Sequence, residues 1–177
     1  MRAAERLTRH VRALAADLAA DYGEVELVRR RRAVSPDEYD RVVEAFDSFG
    51  QVGGACARMT DPDGRALLVR PETGNEWFDP GRGLDPGESY EACARRAVRE
   101  AAGLEATVTG LEQLRVFCLD DGTGRPAVPD VAVVLRGHAD GEPDPGTAAA
   151  ARWFEALPDG LGYPELSEFP TTGSASP

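Results

Sequence analysis

Lysine is absent from this 177-residue chain: all 20 basic residues are arginine, set against 31 carboxylates for a net charge of −11. So acidic a surface repels phosphate backbones, which counts against nucleic acid as a partner. Arginine without lysine beside so many carboxylates fits a salt-loaded cytoplasm somewhat better than GC-rich codon usage, and both readings stay open. Cysteine and histidine are scarce too. Cys56, Cys93 and Cys118 are far apart with no CxxC pattern, and His10 and His138 are the only histidines. A disulfide framework is therefore excluded and a zinc site lacks ligands, leaving three reduced thiols as the expectation. No apolar run reaches the roughly 18–20 residues of a membrane-spanning helix. The arginine-studded first 22 residues lack the apolar block of a secretory signal, so a cytoplasmic protein with no membrane partner is expected.

What is present suffices for one ordinary core: 42% of residues are apolar, in a chain of single-domain length. Leu7, Val11, Leu14 and Leu18 recur at helical spacing and predict a helix over about 3–21, with Gly23 as its stop. Ser35-Pro36-Asp37-Glu38 reads as a capped start of a second helix, with Tyr39, Val42, Val43 and Phe46 as its apolar stripe. Residues 1–48 are thus expected to form a helical extension, a natural place for a homodimer contact. The run Arg29–Arg32 reads as a solvated turn between the two helices.

From Gln51 the texture changes. Strands are predicted at 52–59, 66–70, 106–119, 131–138 and 151–155, with a turn at Asp61-Pro62-Asp63-Gly64. A Gly/Pro-rich loop spans 71–87, and a helix is expected over 88–102, closed by Gly103. The remaining segments are a domain at 49–160 and a tail at 161–177, of which Thr171–Pro177 is expected to fray. Strands on both sides of a central helix imply a mixed sheet packed by helices, an α/β fold.

Chemistry concentrates in the stretch Trp77-Phe78-Asp79-Pro80-Gly81-Arg82-Gly83-Leu84-Asp85-Pro86-Gly87-Glu88 and the helix after it. A glycine-rich loop running into a helix lets backbone N–H groups approach a phosphate. Glu88, Arg96, Val98, Glu100, Gly103 and Leu104 resemble the box of the Nudix hydrolase family at its fixed spacing. Trp77, Pro80-Gly81 and Trp153-Phe154 match its flanks. The resemblance spans about residues 50–158. It implies an α/β/α sandwich, Mg²⁺ or Mn²⁺ as cofactor, and hydrolysis of a nucleoside diphosphate linked to another group. It also implies Glu100 as catalytic metal ligand with the Gly81 carbonyl, and Glu88, Arg96 and Gly103 as structural residues of the box.

Three box positions depart from the pattern: Arg82 stands for glycine, and Ala97 and Ala101 stand for glutamates. Positions 97, 100 and 101 share a helix face, so a family carboxylate cluster is reduced to Glu100. Weakened hydrolysis is the expectation, with a catalytically impaired nucleotide-binding module as the alternative. Arg82, Trp77 and Arg70 are candidate substrate contacts. Arg82 can bind phosphate oxygens bidentately in place of lost metal charge or point to solvent. Trp77 can stack on a base or anchor its loop. Glu91, Glu112, Asp120 and Asp121 are weaker candidates for substitute carboxylates.

Overall fold

In the computed structural model, residues 2–163 are described. The predicted tail Thr171–Pro177 lies outside them. The chain runs α1 (Ala3–Tyr22), β1 (Leu27–Ala33), α2 (Pro36–Phe49), β2 (Gly54–Thr60), β3 (Ala66–Arg70) and β4 (Gly81–Gly83). It continues with α3 (Tyr90–Ala102), β5 (Ala106–Asp120), β6 (Val128–Ala139) and β7 (Ala150–Phe154). The strands form one seven-stranded mixed sheet in the order β1-β5-β6-β2-β3-β7, with β4 paired to β2. β1 is parallel to β5 and β2 to β6, while β5 and β6 form a long antiparallel pair with two register shifts.

Alternation along β2, β5 and β6 divides the sheet into two unlike faces. Ala55, Ala57, Leu114, Val116, Val133 and Leu135 belong to one continuous core with Leu7 and Val11 of α1 and Cys93, Ala94 and Val98 of α3. The intervening residues, Cys56, Arg58, Gln113, Arg115 and Phe117, take the opposite face. That face carries the polar cleft described below.

The expected helical extension proves to be helix, strand and helix. Its two helices form where the spacing placed them, with Gly23 and Gly50 donating back to Ala19 and Phe46 at their C-termini. Ser35 accepts from the Glu38 N–H at the start of α2. The run Arg29–Arg32, however, is no turn. It lies in β1, paired along its length with β5 from Leu27↔Leu114 to Ala33↔Asp120. This strand at the end of the sheet order buries almost nothing, so no alternation betrays it; its backbone pairing alone makes it a strand. Four charged side chains there also discourage a further strand from adding to the edge.

α1 is part of the core, since Leu7 is fully buried. Leu7→Ala is expected to destabilise the protein by about 3 kcal/mol, measurable as a lower denaturation midpoint of the single unfolding transition. A loss under 1 kcal/mol would show that α1 merely decorates the sheet. No helix of the described residues is long and apolar enough to cross a membrane.

Candidate functional site

The site is built on β4, a three-residue strand that runs antiparallel to the start of β2, pairing Gly54 with Gly83 and Cys56 with Gly81. The approach demands glycine: a Cβ on Gly54 would lie 2.0 Å from the Arg82 carbonyl oxygen. The Ala57 N–H donates to the Pro80 carbonyl at 2.8 Å, fixing the bend before Gly81. Beyond β4 the chain turns into α3, whose cap is Ser89, accepting from the Ala92 N–H at 3.1 Å. Glu88 therefore stands just outside the helix rather than in its first turn. Its oxygens are taken by specific donors instead of the helix dipole: the Asp85 N–H at 3.0 Å and both Nε and Nη2 of Arg96 at 2.9 Å.

Arg96 completes the frame by donating to the Gly83 carbonyl at 2.8 Å. Paired in this way, Glu88 has its pKa drawn down to about 2, chiefly by the Arg96 hydrogen bonds. The bidentate pair spans loop and helix and sets the loop's angle to α3. Gly103 ends α3 in the left-handed conformation that glycine adopts without strain, φ 66°.

On the inward side of α3, Ala97 and Ala101 are buried, 0% and 7% exposed, while Glu100 lies at the rim with 38% of its side chain exposed. Its Oε2 is 3.0 Å from Nε of Arg82 and 3.4 Å from Nη1 of Arg96. The Arg82 contact is an ion pair not aligned as a hydrogen bond. Nη2 of Arg82 donates to the Thr147 hydroxyl, and Thr147 in turn donates from its N–H to the Glu100 carbonyl at 2.9 Å. The segment leading into β7 thus straps the end of α3, and Arg82 bridges the two.

Two hollows open on either side of β4, and Cys56, Gly81 and Arg82 line both. The larger, about 510 Å³, lies under α2 and is bordered by Arg41, Val42, Arg32, Phe117 and Asp130. Arg32 is ion-paired to Glu38, and its guanidinium lies 5.9 Å from the centre of the Phe117 ring. The smaller, about 290 Å³, has walls of Val69, Pro71, Phe78, Ala101 and Ala148, with Asp79, Thr147 and Tyr163 as its polar groups beside Arg82. Asp79 is buried, its side chain 1% exposed, with Oδ2 3.6 Å from Nε of Arg58. Neither Asp79 oxygen has a hydrogen-bond partner, nor does the Tyr163 hydroxyl. Burial pushes the Asp79 carboxyl pKa up, against the pull of the neighbouring Tyr163 hydroxyl first and of Arg115 and Arg58 after it. Arg115 is itself buried, stacked 3.8 Å from the centre of the Tyr163 ring and bonded to Gln113 at 2.6 Å.

A family model described as the NUDIX domain matches residues 51–157. The chain belongs to the NUDIX family. Among solved structures, the NUDIX chain is similar to a MutT NUDIX hydrolase from Burkholderia pseudomallei, at 26% identity and a TM-score of 0.51, covering 63% of this chain and 90% of that one. A NUDIX hydrolase from Nitrosomonas europaea matches at 17% identity and 0.50, covering 64% of this chain and 65% of the other. An ADP-ribose pyrophosphatase from Streptococcus suis matches at 25% identity and 0.49, covering 69% and 90%. No curated protein matches the sequence.

Within the NUDIX frame, the residues present do not fit the divalent cation that the resemblance implies. Glu100 is the one box carboxylate left facing that position, and its oxygen already meets two guanidiniums. A cation set beside it would be held by one shared ligand and repelled by Arg82. Among the described residues no cluster of three acidic, histidine or cysteine side chains could hold a metal. The other acidic candidates are engaged elsewhere. Glu91 accepts from the Tyr22 hydroxyl at 3.1 Å, joining α3 to α1. Glu112 pairs with Arg58 and Arg136. Asp120 and Asp121 cap the turn at Gly122 and Thr123, and Asp121 also pairs with Arg125.

Two of the three expected substrate contacts lie away from both hollows. Trp77 is buried against Leu68 and packs edge-on to Phe154, ring centres 4.9 Å apart, so it anchors its loop. Arg70 covers the Trp77 ring, 5.4 Å from its centre. Arg82 alone stands in the cleft. The sequence reading missed Asp79, Arg58, Arg115, Tyr163 and Thr147. Asp79 was the one with a legible signal, a carboxylate between Phe78 and Pro80 in a loop otherwise anchored by apolar residues.

Proposed function

We propose that this NUDIX domain binds a nucleoside diphosphate linked to another group, grips the diphosphate with Arg82 in place of a divalent cation, and hydrolyses it feebly. The carrying observation is the Arg82–Glu100 ion pair above buried Ala97 and Ala101. A guanidinium offers phosphate the fork of donors that a cation supplies as charge. An arriving diphosphate exchanges with Glu100 for Arg82, and both groups are exposed enough to rearrange. The two hollows flanking β4 suit the ligand's two ends, with its diphosphate across Gly81 and Arg82. No carboxylate is free at position 97 or 101 to take a proton from water, so turnover is slow.

Calorimetry with a panel of nucleoside diphosphate sugars that covers the common bases, in EDTA and in Mg²⁺, tests this. Affinity is expected to be the same in both, and Arg82→Ala is expected to weaken it at least tenfold. Glu100→Gln, which releases Arg82, should leave binding intact or tighten it. The intact Glu88–Arg96–Glu100 line favours the other reading, a metal-dependent hydrolase. Mg²⁺-dependent turnover abolished by Glu100→Gln would establish that reading and overturn ours.

A further inference from the structure

The smaller hollow carries a feature that diphosphate binding alone leaves unused: a carboxylate at its deep end, with both oxygens unbonded. Burying such a group without partners is unfavourable by several kcal/mol unless something satisfies it. Arg58 offers countercharge, but at 3.6 Å and without hydrogen-bonding either Asp79 oxygen. Apart from Arg82, Thr147 and Tyr163 the cavity walls are apolar, and its volume, about 290 Å³, lies at the small end for ligand sites. It has room for a flat heterocycle rather than a whole dinucleotide. The rim is Arg82, 36% exposed, while Asp79 is 1% exposed, so a ligand held at Arg82 by its phosphates would send its far end toward Asp79.

The Arg58 and Arg115 guanidiniums oppose the effect of burial and hold Asp79 ionised, and an ionised carboxylate presents two acceptors side by side and no donor. The complementary edge must therefore offer two adjacent N–H donors. Guanine does, through its ring N1–H and exocyclic amino group. Adenine and cytosine each set one amino group beside a ring acceptor, which the carboxylate repels. Uracil and thymine flank their single N–H with carbonyls. We infer that Asp79 is a specificity-determining residue that accepts both donors of a guanine base in this hollow. The inference rests on the proposed nucleotide-binding reading and names the base.

The wild-type protein tests it without any substitution. GDP, IDP, ADP, CDP and UDP share the diphosphate, and IDP differs from GDP only by the missing amino group. GDP is expected to bind at least tenfold more tightly than the other four, since a bidentate pair discriminates by about that factor or more. Asp79→Asn keeps the side chain's shape while turning one acceptor into a donor. It is expected to lose the GDP preference and to favour xanthosine diphosphate, whose C2 carbonyl accepts that donor. A merely structural role for Asp79 would not produce such an exchange. Equal binding of GDP and IDP to the wild type would overturn the inference, as would Asp79→Asn retaining its GDP preference. If none of the five nor inorganic pyrophosphate binds, the nucleotide reading itself fails; if all bind alike, only the base assignment does.

Discussion

A variant carrying Arg82→Gly, Ala97→Glu and Ala101→Glu is expected to gain Mg²⁺-dependent hydrolysis of ADP-ribose by about 10²–10⁴-fold, the usual contribution of a positioned acid–base group. The physical argument has two parts. Carboxylates at 97 and 101 would rejoin Glu100 on the inward face of α3, because those positions are one turn apart. Removing the Arg82 guanidinium clears the cation that now occupies their electrostatic niche. Ala101 lines the smaller hollow, so a longer side chain has space there. Ala97 is fully buried, so the variant is first checked for a cooperative unfolding transition. Mn²⁺ titration of the folded triple variant, followed by turnover in Mg²⁺, checks the result. A folded variant that neither binds Mn²⁺ nor turns over would show that the lost carboxylates are not what limits the wild type.

Glu88→Gln is expected to remove about 2 kcal/mol of stability at pH 7. The ion pair it breaks is largely shielded, with 13% of Glu88 and 18% of Arg96 exposed, and the loss leaves Arg96 short of its bidentate acceptor. The pH dependence has a definite sign. The Glu88 pKa falls from 4.5 in the unfolded chain to about 2 in the fold. Its contribution is therefore complete above about pH 4.5 and disappears as pH drops from there toward 2. Urea unfolding across that range should show the wild type and Glu88→Gln differing most at neutral pH and converging near pH 2. A constant difference at every pH would mean that packing, not ionisation, carries the effect.

Local signals and long-range pairings divide the legible from the illegible in this chain. The helices α1, α2 and α3 were readable because each carries an apolar stripe and a stop or cap within its own sequence. The Nudix box was readable because loop, glutamate, arginine and glycine stand at fixed spacing. β1 was not readable: its arginines show no alternation, and only β5, whose partners stand 87 positions downstream (Leu27↔Leu114), makes it a strand. The spacing alone puts Glu88 inside α3, because helix propensity does not reveal that Ser89 takes the cap. In sequence Trp77 suits a base and the core equally; Leu68 and Phe154 enclose it in the fold.

By itself, the order of residues determined the family frame and the loss of two glutamates, since both are facts of spacing and side-chain type. Only the tertiary structure decided what replaced them. Arg82 and Glu100 are 18 positions apart, and Thr147 lies farther still; folding the strap before β7 over the end of α3 is what brings the three together. The same holds for Asp79 and Arg58, which meet because strand pairing converts distant chain positions into neighbours on one face. Charge in a protein acts through distance and burial, and neither is defined until the sheet has closed.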